Sequence, residues 1–174
     1  MINRCKEGDP GAQYELYRLY SRAMFNTALR ICGNREEAED VLQEAFLNAF
    51  KHIDSYREDA TFGAWLKRIV VNKSITSLRK NQKETLMMEE VAELEEESMS
   101  IGDEVTGLSV ERVKTALMDL PKGFRSVLSL YLFEGYDHKE ISDILGITES
   151  TSKSQYKRAK DKLKIILKQE VKYG

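Results

Sequence analysis

The stretch "DHKEISDILGITESTSKSQYKRAKDKL", residues 137–163, decides the fold class of this chain. Asp137 with Glu140 three residues later is a capping-box pattern, which satisfies two orphan amides at the start of a helix. Ile141, Ile144 and Leu145 then supply one apolar face. Gly146 permits the positive φ of a tight turn, Ile147 follows as an apolar pin, and Thr148 is placed to cap a second helix. Two short helices joined in this way form a helix-turn-helix, whose second helix enters the major groove of DNA.

At 100° per residue, Ser152, Tyr156, Ala159 and Leu163 share one face of that second helix and are expected to pack inward. Lys153, Ser154, Lys157 and Arg158 lie on the rest of its N-terminal half, the part that points side chains at base edges. Lys160, Lys162, Lys164 and Lys168 come later and suit phosphate or water. Residues 148–172 hold eight basic side chains against three acidic ones, so this end of the chain favours an anionic partner. Ser152 is the odd member of the inner face. Its hydroxyl is expected to bond back to the Thr148 carbonyl, forgoing the apolar burial that a Val would give, about 1 to 2 kcal/mol.

Working outward, Val113, Ala116, Leu117 and Leu120 keep helical spacing up to Pro121, and "KGFRSVLSLYLFEG" supplies another helix that stops at Gly135. Nearer the start, Leu16, Leu19, Tyr20, Ala23, Met24, Ala28 and Ile31 follow the same period up to Gly33. Asn34 and Glu37 resemble a capping box opening the next helix, whose core stripe is Ala38, Val41, Leu42, Ala45, Phe46 and Ala49. On its opposite face stand Asp40, Gln43, Glu44 and Leu47, spaced i, i+3, i+4, i+7. Acids cannot help to hold phosphate, so this outward face points to a protein partner or to a plain solvated surface.

After the polar break "HIDSYREDA", the segment "TFGAWLKRIVVNKSITSLRK" reads as a long helix capped by Asp59 or Thr61. Phe62, Leu66, Ile69 and Val70 form a buried stripe; Thr61, Trp65, Arg68, Asn72, Thr76 and Arg79 form a second. Arg pairs with phosphate or guanine, Asn with adenine, and an aromatic ring stacks on an unstacked base, so the second stripe suits nucleic acid. Trp65 fits a core position as well.

No strand-like alternation appears, and the fold class is all-α: two small helical domains, residues 1–80 and 110–174, joined by an acidic flexible linker at 81–109. Charge supports the division. Residues 1–80 carry a net +2, 81–110 a net −8 and 111–174 a net +4. The acidic tract "EEVAELEEE" reads as a solvated tether or as a competitor for the basic modules. Cys5 and Cys32 lie far apart, and no apolar run of about 20 residues marks a membrane span, so a reducing cytoplasmic setting is expected. His52 and His138 fall in different modules with no ligand cluster, and no phosphate loop or nucleophile motif occurs. No catalytic, cofactor or metal site is expected.

Taken in order, these pieces resemble bacterial RNA polymerase sigma factors of the extracytoplasmic-function (ECF) group, over nearly the whole chain. "AEDVLQEAFLNAF" is similar to the family's D-x-x-Q-E segment, which binds the clamp helices of the largest polymerase subunit and implies that role for Asp40, Gln43 and Glu44, with Leu47 beside them. The 61–80 helix looks like the family's minus 10 reader, with Phe62, Trp65, Leu66, Arg68, Ile69, Asn72 and Arg79 matching and Thr76 in place of Asp. "DSYREDA" corresponds to the loop that captures a flipped base, which implicates Tyr56. The 120–163 stretch looks like the family's minus 35 reader: Lys153, Ser154 and Arg158 match, while Gln155, Tyr156, Lys157 and Lys160 vary. Ser152 stands where Val is common. The resemblance implies core RNA polymerase and promoter DNA as partners, and an anti-sigma factor as a possible third. The rival is a stand-alone helix-turn-helix regulator.

Overall fold

The computed structural model describes residues 1–85 and 110–173, with side chains over 1–80 and 110–168. The expected linker falls largely outside these residues. Among the described residues the structure is helical without strands: α1 (Ile2–Lys6), α2 (Pro10–Cys32), α3 (Arg35–Lys51), a 3-10 turn (Ile53–Ser55), α4 (Phe62–Thr85), α5 (Val110–Met118), α6 (Lys122–Leu132), α7 (His138–Leu145) and α8 (Glu149–Tyr173).

Local chemistry sets the ends. Asp9 accepts from the amides of Gly11 and Ala12 with Pro10 in the first turn, and Gly33 closes α2 at φ 87°. The Asn34 side chain accepts from the Glu37 amide, but Glu37 does not reach back, so only half of the expected capping box forms. Both halves form at α7, between Asp137 and Glu140. Gly146 takes φ 67° in the turn, and Thr148 Oγ1 accepts from the Thr151 amide. Thr61 rather than Asp59 caps α4, accepting from the Ala64 amide, and the helix continues to Thr85, beyond position 80.

The first module packs α2, α3 and α4 around Leu16, Met24, Ala28, Ala38, Val41, Leu42, Ala45, Phe46, Phe62, Leu66 and Val70. Every member of the expected α3 stripe is buried. On α2 the expectation fails at Leu19, which is 63% exposed, and at Ala23, also exposed. The buried line runs Leu16, Met24, Thr27, Ala28 and Ile31, and both misplaced residues fall on its flank. In the second module, Leu117, Leu120, Leu128 and Ala159 form a small core with Phe124, Tyr156, Leu163 and Ile166 at its edge.

A third cluster belongs to both modules. Ile31, Val71, Ile75 and Leu78 from α2 and α4 pack with Val127, Leu130 and Ile141 from α6 and α7. Residues 71, 75 and 78 recur at i, i+4, i+7, so α4 has a second apolar face besides the one that packs on α3. The two modules therefore share a continuous buried seam.

Candidate nucleic-acid interface

Three surfaces carry the residues that the sequence singled out. On α3, Asp40, Gln43 and Glu44 are exposed, and Leu47 is 71% exposed. Glu44 Oε2 lies 3.1 Å from Lys73 Nζ on α4. An exposed pair of this kind is worth roughly 0 to 1 kcal/mol, so it holds Glu44 only weakly.

The second surface is α4 with the loop before it. Arg68, Asn72 and Arg79 are exposed on α4, and Thr76 Oγ1 donates to the Asn72 carbonyl at 2.8 Å. Trp65 is half-buried, its ring 5.4 Å from that of Tyr56 and 5.5 Å from that of Phe62. Its two expected roles therefore merge, since part of the indole rests on the core while the rest stays open. Tyr56 departs from expectation. It is 8% exposed, its hydroxyl donates to the Ala60 carbonyl at 2.7 Å, and burial pushes its pKa up. In this arrangement the ring supports Trp65 and Phe62 from behind, and no open face is left for a base. The loop's unusual residue is Glu58, which holds φ 63°, a left-handed conformation that only glycine adopts without penalty.

The third surface is α8, where Lys153, Ser154, Lys157 and Arg158 are exposed. Lys153 Nζ sits 2.6 Å from Glu149 Oε1, and the hydrogen bond from Lys153 is the main cause of Glu149's lowered pKa. Lys160 lies over the Tyr156 ring, 4.9 Å from its centroid. Ser152 is fully buried, as its face requires, but its hydroxyl partner is His138 Nδ1 at 3.0 Å rather than the Thr148 carbonyl. His138 stacks on Tyr131 with centroids 4.7 Å apart, and both rings meet Tyr156. Sequence pattern offered no signal for this bond, because its partners are 14 positions apart on different helices. Ser152→Val is expected to destabilise the protein by about 1 kcal/mol, because His138 loses its partner. Urea unfolding measures this, and a stabilised variant would mean that the hydroxyl is dispensable.

Arg125 is a structural residue for which the sequence pattern carries no signal. It is 4% exposed, and its guanidinium donates to the carbonyls of Met118, Leu120 and, across the seam, Cys32 at 3.1 to 3.2 Å. Among the described residues, no group of His, Cys, Asp and Glu could hold a metal ion. No described helix is long and apolar enough to cross a membrane.

A helix-turn-helix with an exposed cationic reading helix, seamed to a helical module with its own arginine, carboxamide and tryptophan face, defines a two-part DNA-binding transcription protein. Residues 16–84 match the family Sigma-70 region 2, and residues 110–163 match Sigma-70, region 4. The chain is 30% identical over 173 residues to the ECF RNA polymerase sigma factor SigW of Bacillus subtilis, covering 94% of this chain and 92% of the relative. It is 32% identical over 161 residues to SigM of Mycobacterium tuberculosis, covering 92% of this chain and 79% of the relative. Among solved structures it is similar to the sigma factor RpoE of Bartonella quintana, in complex with the anti-sigma factor NepR. The TM-score is 0.58 at 26% identity, over 89% of this chain and 96% of that one. The fold is shared with CnrH, solved in complex with the cytosolic domain of CnrY, at TM-score 0.55, 23% identity and coverage of 96% and 94%. The chain belongs to the ECF RNA polymerase sigma factors. It binds core RNA polymerase and directs promoter-specific transcription initiation.

Proposed function

We propose that the three surfaces divide the work of initiation. The outward face of α3, with Asp40, Gln43, Glu44 and Leu47, docks on the clamp helices of the largest polymerase subunit. Trp65, Arg68, Asn72 and Arg79 take the unstacked minus 10 strand, with Tyr56 as the floor beneath Trp65. Lys153, Ser154, Lys157 and Arg158 read duplex DNA at minus 35. One observation carries the assignment: Leu47 is 71% exposed among acids and an amide, on a helix whose opposite face is wholly buried. Such a face suits a protein groove, while the cations of α4 and α8 remain for DNA.

Trapping unstacked bases offsets part of the few kcal/mol that unstacking costs, so opening needs no nucleotide hydrolysis by this chain. The sigma chain performs no catalysis of its own, and it works in the cytoplasm, where polymerase is. Polymerase joins the two weak DNA grips by raising the effective concentration of the second once the first has formed. The Bartonella quintana relative is held by an anti-sigma factor, and that class of partner extends to this chain.

Run-off transcription from a genomic promoter library, with core polymerase and with or without this protein, tests the whole assignment. New start sites that require both components support it; a footprint on duplex DNA without polymerase would instead identify a stand-alone regulator. At the level of one residue, Arg158→Ala should cost about 1 to 3 kcal/mol at the preferred minus 35 sequence only. An equal loss on every sequence would reduce Arg158 to a phosphate contact.

A further inference from the structure

The imidazole of His138 is clamped on one side and open on the other. His138 begins α7, the first helix of the helix-turn-helix, and reaches across to the reading helix, where its Nδ1 lies 3.0 Å from Ser152 Oγ. Its ring stacks on Tyr131, with centroids 4.7 Å apart and planes at 22°, and the edge contact with Tyr156, 5.5 Å away, closes a second side. One hydrogen bond and two rings thus fix its orientation. The same bond fixes its tautomer. Ser74 and Ser126 each donate their hydroxyl to the carbonyl four residues back, but the fully buried hydroxyl of Ser152 has Nδ1 as its sole partner among the described residues. A buried hydroxyl keeps its proton bonded only by donating it, so Nδ1 accepts and the ring proton stands on Nε2. Nε2 makes no hydrogen bond among the described residues and remains open to solvent. The module therefore presents a rigidly held N–H donor at its edge.

We propose that His138 is a backbone contact of the minus 35 grip: its Nε2–H donates to a phosphate oxygen of the duplex, and Ser152 holds the ring in the tautomer that can do so. The inference rests on the minus 35 reading of α8 given above. In a helix-turn-helix the first helix crosses the phosphate backbone while the second enters the groove, and His138 is the first residue of that first helix. Lys139 beside it is exposed and suits the same strand. The neighbouring carboxylates are already engaged. On α7, Asp137 and Glu140 bond each other's amides; on α8, Glu149 pairs with Lys153, while Lys160 lies over the Tyr156 ring. From α6 the titratable neighbour is Tyr131, whose ring face is covered by the imidazole. A second proton strengthens the contact. When the ring takes it up, Nδ1–H donates to Ser152 Oγ, and the hydroxyl turns its own proton to the Thr148 carbonyl one turn back. Nε2 keeps its hydrogen throughout, and its bond to phosphate becomes charge-assisted. The DNA complex then holds this proton more firmly than the free protein does, so affinity rises as pH falls. A hydroxyl at 152 serves both states, which an apolar side chain cannot.

The tautomer is tested on the full chain without DNA. His138 is one of 2 histidines, so in a His52→Gln background the long-range proton–nitrogen NMR spectrum near about pH 8 reports its ring alone. The Nε2–H form should dominate, and Ser152→Val should mix the two forms. The contact is tested by duplex binding of the full chain assembled with core polymerase. His138→Phe, which keeps the ring stack and loses both nitrogens, should weaken binding about three- to tenfold on preferred and unrelated duplexes alike, because a phosphate contact carries no sequence. Relative to that variant, wild-type affinity should rise about three- to tenfold from about pH 8 to about pH 5.5, the range in which imidazoles take up charge. His138→Gln, whose amide nitrogen stands in for Nε2, should match the wild type at the upper pH and show no such rise. That profile compares one protein with itself, so it does not depend on stability. Replacing the phosphates of the duplex one at a time by uncharged methylphosphonate should find one position that weakens the wild type but not His138→Phe. A dominant Nδ1–H form, equal pH profiles in wild type and His138→Phe, or no such phosphate would overturn the contact. If the coupled phosphate is found on every duplex while Arg158→Ala weakens none of them selectively, the minus 35 reading fails and the contact stands.

Discussion

An Arg125→Ala protein should unfold about 3 kcal/mol more easily than the wild type, lowering Tm by about 6 to 12 °C for a chain of this size. Three carbonyls, those of Met118, Leu120 and Cys32, take their hydrogen bonds from this one guanidinium in a site almost closed to water. Each lost charge-assisted bond matters less than the buried acceptor it leaves behind. Burial pushes the Arg125 pKa down, yet a guanidinium keeps its proton at neutral pH, so the donors persist across the physiological range. Arg125→Lys should recover only part of the loss, because an ammonium cannot fork to carbonyls on both sides of the seam. Urea unfolding with circular dichroism measures both variants. A loss below about 0.5 kcal/mol for alanine would show that other groups hold this junction.

Reversing the charge at Asp40 and Glu44 together, each to Lys, should weaken binding to core polymerase at least about 100-fold, a loss of roughly 2.7 kcal/mol. Both positions are exposed, and Glu44's pair with Lys73 is a surface pair, so the melting temperature should move little. Retention of the fold separates this outcome from that of Arg125→Ala. Leu47→Ala should reduce affinity by about tenfold through lost apolar burial in the partner's groove. Binding to core polymerase, measured without DNA, is the appropriate readout. Unchanged affinity in the double variant would remove α3 from the polymerase contact.

Much of this was legible because local chemistry and periodicity agree with the fold. The α3 stripe, the α7 capping box, the Gly146 turn and the inward position of Ser152 all follow from spacing and cap residues. What sequence missed depends on neighbours brought in by folding. Val71, Ile75 and Leu78 are visible in the sequence, but their burial requires α6 and α7, which follow after a long acidic tract. Leu19 fits an apolar period until α2 is seen to need only a narrower line. Tyr56 lies in a polar stretch, and only the loop's return against α4 shows its ring closed between Phe62 and Trp65. Periodicity puts Ser152 on the correct face but misses its partner, since helical geometry predicts bonds within one helix and His138 belongs to another.

The Lys153–Glu149 pair has a consequence for how α8 handles salt. Affinity that comes from neutralising phosphates falls with salt, by a slope that grows with the number of cations engaged. Glu149 occupies the first turn of α8, where a phosphate would otherwise find the positive end of the helix. If α8 reads minus 35 as proposed, Lys153 reaches the groove as one half of a neutral unit, able to donate a hydrogen bond while adding little net charge. Glu149→Gln should steepen the dependence of log K on log salt by about one and raise affinity for unrelated sequences more than for the preferred one. On that proposed reading the carboxylate would act against indiscriminate DNA, so that retention on a duplex would depend on which bases meet the helix.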